Sequence, residues 1–206
     1  MSDSDELEFE LPNRGDDRPG LDDLDDDLDI VEVEDDDDDD DEDDYPEDAT
    51  EDDIDLVIAL YREDGQPVAL ALDLSLANDL DALITQLRRV PGDAGAVGMV
   101  SIADEVFVLV RVRGKRVQVF CSDAAAAEDW PIARDACDFL DAELPDENED
   151  GYPVGDSDIL ADVGLPDFEL EAMAEDYDVE ATALLERIAT KISFGSEFAK
   201  AMASFE

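Results

Sequence analysis

The uneven distribution of acidic residues constrains this chain more than any other feature. Residues 1–55 contain 31 Asp and Glu and only two basic residues, Arg14 and Arg18, which gives this segment a net charge of −29. Seven consecutive aspartates occupy positions 35–41. A segment with so much like charge and so few apolar residues cannot bury enough apolar surface to offset the entropy cost of folding. We therefore predict that residues 1–53 form a disordered acidic tail.

The remaining 151 residues have the composition of a folded domain, with 32 acidic and 11 basic residues among many Val, Leu, Ile and Ala. This length supports one ordinary hydrophobic core. The two cysteines, Cys121 and Cys137, are too few for a secreted disulfide framework. Because the sequence shows neither the pattern of a signal peptide nor a stretch of roughly 20 apolar residues, we expect a cytoplasmic protein.

Apolar runs separated by turn residues predict five strands. Asp64-Gly65 lies between two such runs and is a strong hairpin signal. A second hairpin is expected around Asp104-Glu105, and Gly114-Lys115 turns into a fifth strand. The predicted strands are residues 56–62, 67–73, 97–103, 106–112 and 116–121.

Two helices are predicted beside these strands. Apolar residues recur at helical spacing between Leu76 and Leu87, and Ser75 is the expected N-cap. A second, alanine-rich helix is expected from Ser122-Asp123 to about Leu140, with a kink or restart at Pro131.

Alternation in the fourth strand assigns its two faces. Four valines (106, 108, 110 and 112) share one face and are predicted to lie in the core. The other face changes from Phe107 and Leu109 to Arg111 and Arg113 and therefore becomes basic toward Gly114.

The element order predicts an α+β fold. Strands joined by tight turns imply an antiparallel sheet of about five strands, in the order β-β-α-β-β-β-α. We assign residues 54–140 to this α+β domain, residues 141–157 to an acidic linker and residues 158–206 to a small C-terminal helical unit. The helical unit carries apolar stripes typical of core packing.

Catalytic motifs are missing from the sequence. The chain has no histidine, which removes the commonest general base and the Ser-His-Asp and Cys-His arrangements. Gly92, Gly95 and Gly98 precede a strand and do not fit the dinucleotide-binding fingerprint. The cysteines are predicted to be core thiols. We expect no enzyme activity and no cofactor.

One partial metal motif occurs in the acidic linker. Asp146, Asn148, Asp150 and Gly151 match positions 1, 3, 5 and 6 of an EF-hand loop. Position 12, which should be a bidentate Glu, is Ser157. An acidic linker matches half of this motif by chance, so we predict no metal site.

The candidate interaction residues form a basic cluster of Arg111, Arg113, Lys115 and Arg116, with Arg88 and Arg89 as possible neighbours. Three interpretations are open. The cluster could be a solvated hairpin end, it could hold the chain's own acidic tail, or it could touch a nucleic-acid backbone. Four charges give only a small footprint for nucleic acid.

Three stretches carry a resemblance to a known family: residues 117–124 (VQVFCSDA), residues 158–165 (DILADVGL), and residues 185–189 (LERIA) followed by Phe194-Gly195. Over residues 56–205 the chain resembles the tRNA adenosine deaminase-associated proteins of actinobacteria. The resemblance implies an association with the enzyme that converts adenosine to inosine in tRNA. The chain is not that deaminase, because it lacks the H-x-E and P-C-x-x-C motifs of zinc deaminases.

The total net charge of −50 favours a basic protein surface as partner and disfavours nucleic acid and anionic membranes. We therefore predict a non-catalytic accessory protein that docks on a basic partner, with the tRNA adenosine deaminase as the partner that the resemblance implies. The alternative is a standalone acidic protein whose tail only confers solubility. An enzyme would need a metal site built from carboxylates. The sequence leaves the oligomeric state open.

Overall fold

The computed structural model describes residues 45–92, 94–145 and 150–205. Residues 1–44, where most of the predicted acidic tail falls, lie outside the described residues. Within the described part, no helix is long and apolar enough to cross a membrane.

In the described part of the chain, six antiparallel strands form one sheet in the order β2-β1-β3-β4-β5-β6. This confirms the α+β class and the antiparallel sheet. The sixth strand, which has only two residues, lies in the segment predicted to be an acidic linker and pairs with β5. The strands are β1 Ile54–Glu63, β2 Gln66–Ala71, β3 Ala96–Ile102, β4 Val106–Arg113, β5 Arg116–Cys121 and β6 Val154–Gly155.

Among the residues that the structure describes, five α-helices and three short 3₁₀ helices accompany the sheet. The α-helices are α1 Leu80–Arg89, α2 Pro131–Phe139, α3 Asp167–Ala174, α4 Ala181–Lys191 and α5 Gly195–Met202. The 3₁₀ helices are Leu74–Asn78, Ala125–Glu128 and Ala161–Val163.

The hairpin turns lie where the sequence places them. Between β1 and β2, Asp64 and Gly65 adopt φ of 51° and 76°, the left-handed pair that a two-residue turn with matching twist requires. Between β3 and β4, Ala103 and Asp104 adopt φ of 56° and 54°. Between β4 and β5, Gly114 adopts φ of 59°.

The helix starts differ in part from the prediction. Ser75 is not the N-cap of the first helix, because Asp73 caps the 3₁₀ helix there by accepting from Ser75 N at 3.0 Å. The α-helix α1 starts later, at Leu80, and its N-cap is Asp79, whose Oδ1 accepts from Ala82 N at 2.7 Å. The predicted α-helix from Ser122-Asp123 is wrong before Pro131, where only the 3₁₀ helix Ala125–Glu128 forms, but the start at Pro131 is confirmed: proline occupies the first turn of α2, where a backbone N–H would have no partner.

Both faces of the sheet are buried. One face packs against α1 and α2 through Leu83, Leu87 and Ile132, and it includes the four valines of β4, as predicted. The opposite face, with Phe107 and Leu109, packs against α3, α4 and α5. The C-terminal helices therefore form the second cover of the sheet.

Contacts with the domain begin before the predicted start of order at residue 54. The Tyr45 hydroxyl donates to Asp135 Oδ1 at 2.7 Å. Ala49 is buried, and its backbone N–H and carbonyl bond to the amide of Asn78 at 2.8 and 2.9 Å. Residues 45–53, which the sequence analysis counts with the acidic tail, lie against the domain.

Because the C-terminal helices cover one face of the sheet, Phe198→Ala should destabilise the whole domain. Phe198 is fully buried, and truncation of such a residue costs about 3–5 kcal/mol. Trp130, the one tryptophan of the chain, packs on the opposite cover and provides a remote reporter. In urea, the fluorescence transition of Trp130 should shift to lower denaturant together with the loss of helical circular dichroism.

Phe168→Ala is the matched control, because Phe168 is 68% exposed and its loss should leave the transition in place. If Phe198→Ala lowers the helical signal while the Trp130 midpoint stays unchanged, the C-terminal helices are an independent unit and the expectation is wrong.

Candidate functional site

The structure divides the predicted basic cluster into two parts. Arg111 is only 5% exposed, and its guanidinium forms a bidentate ion pair with Asp162. The same guanidinium donates to the carbonyl of Ile159 at 2.5 Å, and Arg113 reaches the second Asp162 oxygen at 2.8 Å. These two arginines fix the chain after β6 to the sheet.

The ion pair shifts the titration of Asp162. Hydrogen bonding from Arg111, followed by the charges of Arg111 and Arg113, lowers the pKa of the Asp162 carboxyl below its usual value. A depressed pKa in the folded state stabilises the fold above the unfolded pKa, and this stabilisation is lost as the pH falls through the folded pKa.

Asp162→Asn should therefore cost stability at neutral pH and little in acid. It leaves the buried Arg111 without its counter-charge, so we expect a loss of about 1–3 kcal/mol at pH 7. The difference from wild type should shrink as the pH falls below about 4, because the carboxyl is then protonated in the unfolded chain and, at still lower pH, in the folded protein as well. Urea unfolding of the variant and wild type, at pH 7 and in acid, measures this difference in stability.

Glu171→Gln, on an exposed α3 position, is the control with the same change of charge. An Asp162→Asn variant with wild-type stability at pH 7, or with an equal deficit at every pH, would contradict this assignment.

The second part of the cluster, Lys115 and Arg116, is exposed at the β4–β5 turn. The neighbouring Arg113 and Gly114 line a groove of about 540 Å³ together with Arg88, at the end of α1. The expected proximity of Arg88 to the cluster is thus observed. We call Arg88, Arg89, Lys115 and Arg116 the basic rim.

The glycine motif shapes this groove by packing. Gly95 adopts φ of 88°, and a side chain there would collide with the carbonyl of Val112. A Cβ at Gly98 would lie 2.9 Å from Leu87 Cδ1, so glycine lets α1 approach β3 closely. The spacing of these glycines reflects close contacts of α1 and its following loop with the sheet.

A second groove, of about 480 Å³, lies between the start of α1 and the end of α2. We call it the acidic groove; its charged and aromatic lining is Asp79, Asp81, Asp135, Asp138, Tyr45 and Phe139. The sequence analysis did not identify it, because its residues come from three separate segments and no spacing distinguishes them among 63 acidic residues.

Hydrogen bonds hold two of the four carboxylates in place. Asp79 caps α1, and Asp135 accepts from Leu80 N at 3.0 Å and from the Tyr45 hydroxyl at 2.7 Å. Asp81 is exposed, and the Asp138 side chain, although 64% exposed, lies 3.5 Å from Arg134 Nε, one helical turn before it. The groove therefore combines two carboxylates held by hydrogen bonds, one exposed carboxylate and one that is exposed but paired with Arg134.

The aromatic residues complete this surface. Tyr45 and Phe139 are 47% and 46% exposed. Burial, and then the hydrogen bond and charge of Asp135, raise the pKa of the Tyr45 phenol, so it remains a protonated donor at neutral pH. Carboxylates beside aromatic faces form a surface suited to Lys and Arg side chains, which bind both.

The two cysteine thiols do not have the properties of catalytic nucleophiles. Cys121 and Cys137 are buried and unpaired, as the core-thiol prediction requires. Burial raises the pKa of Cys121 to about 12 and that of Cys137 to about 11, so neither is a thiolate at neutral pH.

Two residues of the partial EF-hand motif, Asp146 and Asn148, lie outside the described residues. Among the residues that the structure does describe, no group of three or more Cys, Asp or Glu is placed to hold a metal ion.

Similarity to known proteins decides the family. The family model for the Rv3753c-like tRNA adenosine deaminase-associated protein matches residues 55–195. The chain belongs to this family. A curated relative, "Protein Rv3753c" from Mycobacterium tuberculosis, is 34% identical over 143 residues, which is 68% of this chain and 83% of the relative. No solved structure matches the chain.

The family match confirms the resemblance noted in the sequence. It also shows which residues of the basic rim and the acidic groove fall within the shared region. The matched region contains the sheet except for Ile54, the basic rim and the four carboxylates of the acidic groove. Tyr45 and the aspartate run at 35–41 precede the matched region. Tyr45 and the aspartate run therefore lie outside the part that this member of the tRNA adenosine deaminase-associated family shares with the family model.

Proposed function

We propose that this protein is a non-catalytic accessory protein of the cytoplasm that docks on a basic protein surface through the acidic groove. The partner we propose is the tRNA adenosine deaminase, the enzyme in the family's description. The observation that carries the proposal is the convergence of four carboxylates and two exposed aromatic residues on one groove. Tyr45, the first residue that lines the groove, directly follows the acidic stretch that ends at Asp44.

Charge explains why a tRNA-handling enzyme is a suitable partner. Such an enzyme needs Lys and Arg on its surface, because these residues neutralise the phosphates of its substrate. A protein with a net charge of −50 is attracted to that surface over a long range, and the attraction raises the association rate at low salt. Free tRNA and anionic membranes are repelled by the same charge.

The groove adds specificity to this long-range attraction. Asp81 is exposed to incoming cations, and Asp138 is 64% exposed and would share its charge between Arg134 and the partner, whereas Asp79 and Asp135 are held by α1. Phe139 offers an aromatic face beside Asp138 on the last turn of α2. A Lys or Arg side chain of the partner would contact a carboxylate and this face together.

Affinity capture of the tagged full-length protein from its native host tests the proposal. Wild type should recover the deaminase at about 50 mM salt and lose it at about 500 mM, since salt screens exposed charges. The variant D81N/D138N/F139A should recover at least fivefold less deaminase at low salt. This variant keeps Asp79 and Asp135, which the fold uses.

The matched control is E171Q/E175Q/F168A on and next to α3, which removes the same charge and one exposed aromatic residue elsewhere. It should behave as wild type. If neither wild type nor either variant recovers the deaminase, the partner assignment is wrong and a standalone acidic protein is favoured. Equal recovery by the groove variant and wild type would remove the groove from the interface.

A further inference from the structure

The two edges of the sheet differ in how their backbone is covered. At one edge, the chain after β6 covers β5: Asp156 N donates to the Val119 carbonyl at 2.8 Å, and Val119 N donates to Asp156 Oδ2 at 3.2 Å. At the other edge, β2 pairs with β1 alone among the described strands. The β2 edge is therefore the place where a further strand can join the sheet.

The register of the first hairpin fixes which residues of β2 bond to β1. Glu63 and Gln66 flank the two-residue turn and face each other. Such a closing pair exchanges both backbone hydrogen bonds, and bonded and non-bonded pairs then alternate along the strands. Leu72, just after β2, continues the series, because its N–H donates to the Val57 carbonyl at 2.8 Å. Every second residue of β2 therefore turns its peptide groups toward β1.

The remaining residues of β2 direct their peptide groups away from β1. These are Pro67, Ala69 and Ala71, which alternate with the bonded residues. Outside the β1–β2 pairing, no backbone hydrogen bond in the described part of the chain uses their carbonyls or the N–H of Ala69 or Ala71. Proline has no N–H, so the β2 edge offers two donors and three acceptors to a further strand.

The side chains of β2 do little to block such pairing. Natural edge strands are commonly protected by charged residues. Positions 66–72 contain no charged residue, although 37% of the chain is charged. Leu70 is 44% exposed, and Val68, on the same face of the strand, is half-buried. On the open side these two residues would form non-hydrogen-bonded pairs, in which side chains lie close together, so apolar residues of an added strand can pack on them.

Acidic residues lie at both ends of this uncharged strand. Glu63 and Asp64 are exposed before β2, and Asp73 is exposed after it, where its carboxylate is held by a hydrogen bond from Ser75 N. A strand with Lys or Arg at both ends complements these charges in either direction. A second copy of this chain does not, because antiparallel pairing of two β2 strands would bring Glu63 and Asp64 of one copy toward Asp73 of the other.

We infer that the β2 edge binds an extended segment of a partner protein, with alternating apolar residues at its centre and Lys or Arg at both ends. In this mode of recognition, main-chain hydrogen bonds provide affinity and the alternate side chains provide specificity. Ala69 and Ala71 supply the main-chain bonds, and Leu70 receives an apolar side chain. The inference rests on β2 and its flanking residues, and it depends neither on the acidic groove nor on the deaminase as partner.

Amide hydrogen exchange in the full-length protein tests the inference, with the synthetic peptide KKVTVTVKK as the probe. At about 150 mM salt and saturating peptide, exchange at Ala69 and Ala71 should slow at least fivefold, because their N–H groups gain acceptors. Exchange at Val68 and Leu70 should change far less, because these amides already bond to β1. If exchange at Ala69 and Ala71 does not slow with up to about 5 mM peptide, the inference is wrong.

A second peptide, KKVPPTVKK, separates strand pairing from attraction of charge. It has the same charge, but one of its two adjacent prolines faces β2 in any register, and proline there interrupts the hydrogen bonds between the strands. This peptide should leave exchange at Ala69 and Ala71 unchanged. Equal slowing by both peptides would show that the contact is electrostatic only and would overturn the inference.

Variants of the protein test the preference for basic ends. E63Q/D64N should bind KKVTVTVKK at least threefold more weakly than wild type, because two carboxylates beside β2 are neutralised. Asparagine tolerates the left-handed backbone at position 64, where φ is 51°, so the turn is kept. The control E171Q/E175Q makes the same change of charge on and next to α3 and should bind as wild type. Equal weakening in both variants would contradict the assignment of basic ends.

The oligomeric state decides between a partner and a second copy. Without peptide, exchange at Ala69 and Ala71 should be independent of protein concentration between about 20 µM and about 500 µM. Slowing at these two amides as the concentration rises, together with a dimer in sedimentation velocity, would place a second copy on the β2 edge and overturn the inference.

Discussion

The structure depends on a sheet that is apolar on both faces. Every residue of β3 is buried, and in β4 only Arg113 is not. Such a sheet must be covered twice, since either face left in water would expose a large apolar surface. The helices α1 and α2 cover one face, and α3, α4 and α5 cover the other. The polar surface is left to helix ends, turns and connecting segments.

Helix α1 links the two charged surfaces of this fold. Its start carries Asp79 and Asp81 and receives Asp135, while its end carries Arg88 and Arg89. This arrangement suits the helix dipole, so the same residues that stabilise α1 also create an acidic groove at one end and a basic rim at the other. The acidic segment joins the domain at the acidic end. The proposed function of the acidic groove follows from this polarity.

Local sequence patterns predicted most of the strands and their turns. They could not predict contacts between residues that are distant in sequence. The hairpins at Asp64-Gly65 and Gly114-Lys115 follow from turn chemistry and period-two alternation. Arg111 looked like a residue at a basic hairpin end, yet it is buried because Asp162 and the Ile159 carbonyl lie against it from about 50 residues away. No alternation marks the two-residue strand β6. The acidic groove needs Tyr45 beside Asp135, which no local spacing reveals.

Carboxylate footprinting tests the central claim, that the acidic groove binds a basic partner, most directly. The captured complex and the free protein are labelled with a carbodiimide and an amine, and the modified residues are quantified by mass spectrometry. The account predicts that labelling of Asp81 and Asp138 falls severalfold in the complex, while labelling of the exposed Glu171 and Glu186 stays constant. Equal labelling of Asp81 and Asp138 in the complex and the free protein would contradict it.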